Sequence, residues 1–387
     1  MNLLVILSRI PHPLDKGDKL RAFNQIKQLA EKHQIILVAL NDSNYKPQTI
    51  SELNKYCKSV HIISFSRFTI VINLLKTIFS KLPFQVGYFY FNSAQKVIDK
   101  LIKDEKPDHI FCQLIRTTEY VKKYYNIPKT LDYMDVFSKG MQRRISTDNW
   151  WKRPLVSIEY KRLLHYENYI FDFFKHKVII SEQDKALIPN KNKEEIVVIP
   201  NGVDFDFFKP IASEKKFDLL FNGNMNYPPN IESVEYLVTK VLPIVWQKMP
   251  AVNLIISGTS PNARVLRLKS NLVVVSGWVN DIRTNFAQSK ILVAPMQISI
   301  GLQNKLLEAM AMKIPCITTS LANNALGAKH NNEIMVADTP ILFAEAIVEL
   351  LNNYKKRSEL AENAFEFVSK KYDWKTNTDV LNALFIQ

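Results

Sequence analysis

The chain is poor in the features that most quickly betray a function. Cysteine is scarce: Cys57, Cys112 and Cys316 are scattered without the paired spacing of a metal site, and two of them fall inside apolar, strand-like runs. They read as small buried hydrophobes in a reducing compartment. No apolar run reaches the length of a membrane span. The apolar opening from Met1 to Ser8 lacks the basic leader and small-residue cleavage site of a signal peptide, and is better read as a buried strand. There is no zinc-finger or homeodomain-like pattern, and the aromatics follow no evident nucleic-acid-binding repeat, so nucleic acid is not expected as a partner.

What is present is positive charge. The formal net charge is +14, spread out with no long basic tail. Such a balance favours an anionic partner: nucleic acid, an anionic membrane surface or a phosphorylated substrate. With 387 residues, two domains are the natural expectation. A hydrophobic content of 47% and a charged content of 23% are ordinary for a soluble globular chain.

Short apolar runs alternate with helical patterns throughout, which predicts α/β domains with parallel sheets. After the first strand, Leu3 to Leu7, comes a loop with Arg9, Asp15, Lys16, Gly17, Asp18 and Lys19. It reads either as a solvated turn-rich loop or as a ligand loop in which Gly17 brings the chain close to its ligand. Its glycine spacing does not match a dinucleotide fingerprint. The stretch Phe65 to Phe91 is dense in aromatics and aliphatics but interrupted by Arg67, Lys76 and Lys81. It is either an excursion covering the sheet or a basic amphipathic surface for anionic lipid. Gln113 and Arg116 follow another strand end. Asp132 and Asp135 follow the next, beside the basic run Lys139 to Arg144. Asp132 could act on an acceptor hydroxyl, cap a helix or pair with an arginine.

The polar stretch Asp206 to Lys216 is the expected linker, which predicts domains of 1–206 and 207–370 and a helix from 371 to 387 returning to the first. The second domain opens with Asp218 to Phe221 and then Asn222-Gly223-Asn224, where a backbone can face a phosphate. The most informative stretch is Lys290 to Thr319: strand, loop with Ser299 and Gly301, helix from Asn304 to Met312, strand. Lys305 and Glu308 are three apart and share a helix face. A helix N-terminus at the carboxyl end of a parallel strand aims its N–H groups into the ligand crevice. Diphosphate oxygens suit those groups and the Lys305 ammonium, and a carboxylate one turn on suits ribose hydroxyls. The plain alternative is a surface ion pair on a crossover helix.

Five segments together resemble glycosyltransferase family 4, of the GT-B fold, and in particular the bacterial sugar transferases of exopolysaccharide and other surface glycans. They are residues 11–21, 131–136, 199–204, 221–230 and 304–312. The resemblance implies two facing Rossmann-like doubly wound domains with a cleft between them. It also implies a retaining transfer from a UDP- or GDP-linked sugar to a glycan, of lipid-linked kind. Glu308 matches the family's ribose glutamate, while the usual sugar-contacting glutamate is replaced by Ile300. Donor recognition then rests on N–H groups near Gly301 and Leu302, or on Gln303 and Asn304. With Met225 to Pro229 where the family has its arginine and lysine, Lys305 is left to neutralise the diphosphate, helped by Arg9 or Lys16. Gly223 and Asn224 complete the expected donor site, and Asp132 and Asp135 are the polar groups on the acceptor side. The resemblance implies no cofactor and no bound metal: Asp204 and Asp206 have metal spacing but sit at the linker. The +14 charge and the Phe65–Phe91 stretch, with the reducing compartment read from the cysteines, predict a cytoplasmic protein, peripheral on the inner face of the plasma membrane. Two other functions fit such a chain: a nucleotide-sugar epimerase of the same fold, and a non-catalytic nucleotide-sugar or lipid-binding protein.

Overall fold

The computed structural model describes residues 1–14, 16–298 and 301–386. Two units emerge, Met1–Pro200 with Trp374–Gln387, and Asn201–Asp373. The first holds β1 (Asn2–Leu7), β2 (Gln34–Asn41), β3 (Ser59–Ser64), β4 (His109–Gln113), β5 (Lys129–Asp132), β6 (His176–Ile179) and β7 (Val197–Val198). They lie in the order β3-β2-β1-β4-β5-β6-β7, every neighbouring pair parallel. Strands covered on both faces must be apolar throughout, and Leu3 to Leu7 is accordingly buried without a polar residue. The helices of this unit include α1 (Gly17–Leu29), α2 (Arg67–Ile78), α3 (Phe84–Phe89), α4 (Phe137–Thr147) and α5 (Arg153–Ile170).

The second unit repeats the plan with β8 (Phe217–Asn222), β9 (Leu254–Ser257), β10 (Val273–Gly277), β11 (Ser289–Ala294), β12 (Cys316–Thr318) and β13 (Met335–Val336). The order is β10-β9-β8-β11-β12-β13, again parallel. Its helices α6 (Pro228–Tyr236) and α7 (Asn304–Ala311) follow β8 and β11. Strand order reverses beside β8, whose neighbours are β9 and β11. In an open parallel sheet the loops leaving such a pair diverge to opposite faces and leave a crevice at the carboxyl ends. The β8 and β11 loops therefore border the place where this unit can hold a ligand.

The break between units falls ahead of the polar 206–216 stretch. Val203 N–H donates to the Tyr372 carbonyl (2.8 Å) and Val203 bridges to Asp373, so the chain from Asn201 already belongs to the second unit. Asp204 accepts from the N–H groups of Asp206 and Phe207 (3.1 and 3.0 Å), which closes a turn at this point. The helix α8 (Trp374–Ile386) packs in the first unit. Asp379 pairs with Lys32 (2.6 Å), and the Phe385 ring lies 4.6 Å from that of His109.

Candidate functional site

Helix α7 forms because Lys305 to Ala311 are good helix formers, and it is anchored by Leu306, Leu307 and Met310, all buried. That anchoring turns Lys305 inward toward the end of β8. Only 8% exposed, Lys305 is no surface residue. Its Nζ donates to Asn230 Oδ1 (2.6 Å) and sits 4.2 Å from the centre of the Phe221 ring. Half-buried Glu308 lies one turn on, with Oε2 3.5 Å from Asn222 Nδ2. Burial pushes the Lys305 ammonium down to about 7 and the Glu308 carboxyl up to about 7, each only partly offset by the other's charge. The Oδ1 of buried Asn222 has no hydrogen-bond partner among the described residues. A buried cation, a carboxylate and an unsatisfied amide oxygen thus meet at the switch point. Buried polar groups normally find partners, and this set is arranged to find them in a ligand with both anionic and hydroxyl groups.

Close backbone packing supports the site. Gly223 has φ +153°, and a Cβ there would come within 2.7 Å of Asn230 Nδ2 and 3.3 Å of Lys305 Nζ. At Gly258, φ +140°, a Cβ would fall 1.6 Å from the Gly223 carbonyl oxygen. Neither loop could hold its course with a side chain.

Around this centre the other expected donor residues take different places. Gly301 is in the left-handed region (φ +68°), and half-buried Leu302 packs against the unit's core. Gln303 is the cap position of α7, but its side chain makes no capping hydrogen bond, and its Nε2 lies 3.4 Å from the Gly301 carbonyl. Asn304 accepts from Asn201 Nδ2 (3.3 Å). Asn224 is exposed, and its Oδ1 accepts from Asn226 N–H (2.9 Å), a contact that shapes the turn. Ile300 and Ser299, the positions of the sugar-side departure, lie outside the described residues.

In the first unit Asp132 requires correction as a catalytic group. It is wholly buried, with Oδ2 2.6 Å from Arg21 Nε, itself wholly buried. Its Oδ1 accepts from Met134 N–H (3.0 Å). The carboxylate is an internal counter-charge, closed off from an acceptor hydroxyl. Asp135 is half-buried; its Oδ1 accepts from Val136 N–H (2.7 Å), and burial raises its pKa. Gly17 also departs from expectation: it is exposed, has an ordinary φ, and a Cβ there would meet nothing within 4 Å. Arg9 and Lys16 do come together, with His12, on a cavity of about 370 Å³ beyond the ends of β1 and β2. Arg9 is also paired with Asp18 (2.6 Å). Arg116 lies between the rings of Phe89 and Phe137, 5.2 and 4.7 Å from their centres.

Sequence reasoning missed Asn222, Phe221 and Asn230 as members of the site. The available signal was their place at the end of the first strand of a doubly wound unit and in the first turn of the helix after it, the same logic that singled out Gly223.

Residues 216–353 match the family Glycosyl transferases group 1. Over 96% of its length the chain is 24% identical to a 44.6 kDa protein encoded in the cps region of Klebsiella pneumoniae, of which 97% is covered. Among solved structures it resembles Anabaena HepE in complex with UDP, at 14% identity, 99% of both chains and a TM-score of 0.69. It also resembles sucrose-phosphate synthase from Thermosynechococcus elongatus, at 13% identity, 100% of this chain, 99% of that one and a TM-score of 0.71. The fold is GT-B, and with a glycosyl transferases group 1 domain spanning the Lys305–Glu308 site the chain is a glycosyltransferase.

Proposed function

We propose that the protein moves a sugar, with retention of anomeric configuration, from a UDP- or GDP-linked donor to a lipid-linked glycan in the assembly of a bacterial surface polysaccharide. The observation that carries this is the buried Lys305 beside Glu308 and Asn222 at the switch point of the second sheet. In this reading Lys305 and the N–H groups at the start of α7 hold the diphosphate, and they stabilise the charge that develops there as the glycosidic bond breaks. Glu308 accepts from the ribose hydroxyls. The free Asn222 Oδ1 takes a further donor from the nucleoside. N–H groups at Gly301 and Leu302 back the sugar. Asp135, which follows β5, is assigned to the acceptor side.

Such a reaction works by positioning and electrostatics, and requires no enzyme nucleophile, cofactor or metal. The setting draws on two relatives: the Klebsiella protein is encoded in a cps region, and HepE has been solved with UDP-glucose. Among the described residues no helix is long and apolar enough to cross a membrane. In this reading a lipid-linked acceptor is met at the inner face of the plasma membrane, with the protein held there peripherally.

The test is transfer and donor hydrolysis with a panel of nucleotide sugars, repeated with Lys305→Ala and Glu308→Ala, with the anomeric configuration of the product read by NMR. Unchanged activity in both variants overturns the site. Interconversion of a UDP-sugar without acceptor would name an epimerase instead, and binding of donor and glycan lipid without turnover would name a binding protein.

A further inference from the structure

The first unit carries a second feature that donor chemistry does not use. Helix α2 is apolar on both of its sides. Ile70 faces inward and is buried, while Phe68 (75% exposed), Val71, Leu75 and Ile78 face solvent, followed by Phe79 at 92%. The loop between α4 and α5 adds Trp150 (80%) and Trp151 (61%), and the first turns of α5 add Leu155 and Ile158. Helices α2, α4 and α5 meet although α2 is far from the others in sequence, and the Trp150-Trp151 loop joins the last two. A groove of about 640 Å³ is lined by Val71, Leu75 and Ile78 of α2, Phe84 of α3, Met141 of α4 and Leu155 of α5.

The surface is built rather than frayed. The Arg162 guanidinium of α5 donates to the carbonyls of Thr77, Leu82 and Ile78 (2.9, 3.1 and 3.0 Å), tying the end of α2 to α5. Glu159 accepts from the N–H groups of Phe84 and Gln85 (2.7 and 3.0 Å), fixing the start of α3. A contiguous apolar patch held in place this way marks a contact surface.

Charge decides what it contacts. No Asp or Glu occurs between Glu52 and Asp99, a stretch that holds Arg67, Lys76 and Lys81. Around the tryptophans the chain carries Lys139, Arg144, Lys152 and Arg153 at its surface, with Asp148 bound to Arg144 (2.7 Å). A second copy docked through the same patch would set these cations against their own images. An anionic bilayer instead takes the aliphatic and aromatic side chains below its headgroups, the indoles at the interface and the ammonium and guanidinium groups among the phosphates.

We propose that the surface formed by α2, the Trp150-Trp151 loop and the start of α5 docks the protein on a bilayer containing anionic phospholipid. This rests on the membrane placement proposed above, yet it is measured without any transfer reaction. The full chain is sedimented with vesicles of phosphatidylcholine, with and without phosphatidylglycerol. Wild type is expected to bind the anionic vesicles at low salt, to release as salt screens the charge, and to shift its tryptophan emission to the blue.

Trp150→Ala/Trp151→Ala and Phe68→Ser/Phe79→Ser each replace exposed side chains. Both are expected to lose about tenfold in vesicle affinity while keeping wild-type Tm and UDP binding. Absence of binding by the wild type, wild-type binding by both double variants, or a change of oligomeric state in them overturns the proposal. Loss of UDP binding by Lys305→Ala with vesicle binding intact separates the two sites.

Discussion

Lys305 Nζ and Asn230 Oδ1 are 2.6 Å apart, and this neutral partner is what the ammonium has in place of a second carboxylate. An amide oxygen orients a cation without cancelling its charge, so the charge remains available to a diphosphate. Lys305→Ala is expected to weaken UDP binding by ~10- to 100-fold, the size of one charge-assisted hydrogen bond in a buried site. Isothermal titration calorimetry measures it. Lys305→Met keeps the volume and removes the buried charge. It should bind UDP as poorly as Lys305→Ala while melting no lower than wild type, the mark of a residue kept for function rather than stability.

The same burial sets a pH dependence. The folded Lys305 value, about 7, lies below its ordinary 10.5, so between those values the unfolded chain holds more protons and stability from this group rises with pH. The folded Glu308 value, about 7, lies above its ordinary 4.5, so between 4.5 and 7 the folded chain holds more protons and stability from this group falls as pH rises. From these two groups the ligand-free protein is least stable near pH 7. A bound diphosphate favours protonated Lys305, so UDP affinity should decline as pH climbs above about 7 with proton uptake on binding. Lys305→Met should abolish that decline. Calorimetry in buffers of different ionisation enthalpy reads both effects, and a flat wild-type profile from pH 7 to pH 9 would count against the assignment.

Glu308 is assigned to sugar hydroxyls, which predicts a specific selectivity. Wild type should prefer UDP to 2′-deoxy-UDP, and Glu308→Ala should bind both about equally, at roughly the affinity of wild type for the deoxy compound. Preservation of the preference in the variant would move the ribose elsewhere.

Gly258→Ala should be more harmful than its distance from any charged group suggests. Its Cβ would meet the Gly223 carbonyl at 1.6 Å, and relief means displacing the loop that carries Gly223 past Lys305. Lower Tm and lost UDP binding together are expected. Gly17→Ala, with open space and an ordinary φ, should leave stability within about 0.5 kcal/mol of wild type.

Asp132→Asn tests a structural rather than a chemical role. Breaking a fully buried ion pair by removing one charge costs about 3–5 kcal/mol, so the melting temperature should drop sharply. Activity per folded molecule should hold, and Asp135→Asn should show the reverse pattern.

Much of this fold was legible because parallel strands buried on both faces cannot hide. Runs such as Leu3 to Leu7 and Lys290 to Ala294 need no neighbours to be recognised, and the structure moves their ends by only one residue. Helix α4 was not expected, because a basic run with Gly140 inside carries little apolar periodicity. Lys305 and Glu308 were legible from helical spacing. Their partners Asn230 and Asn222 were not, since those contacts cross 75 and 86 residues. Asp132 shows the same limit. Its three possible roles differ only in what stands opposite, and Arg21 stands 111 residues away.

The placement of α8 has a consequence for biosynthesis. Residues 201–373 form a unit from one continuous segment, whereas the 1–200 unit is completed only by the helix that begins at Trp374. During translation the segment made second can therefore finish folding first. Until α8 emerges, Leu381, Leu384 and Phe385 are missing from the cluster they share with Phe111 and the inner side of α1. Transiently exposed apolar surface of this kind makes a partly made chain prone to association.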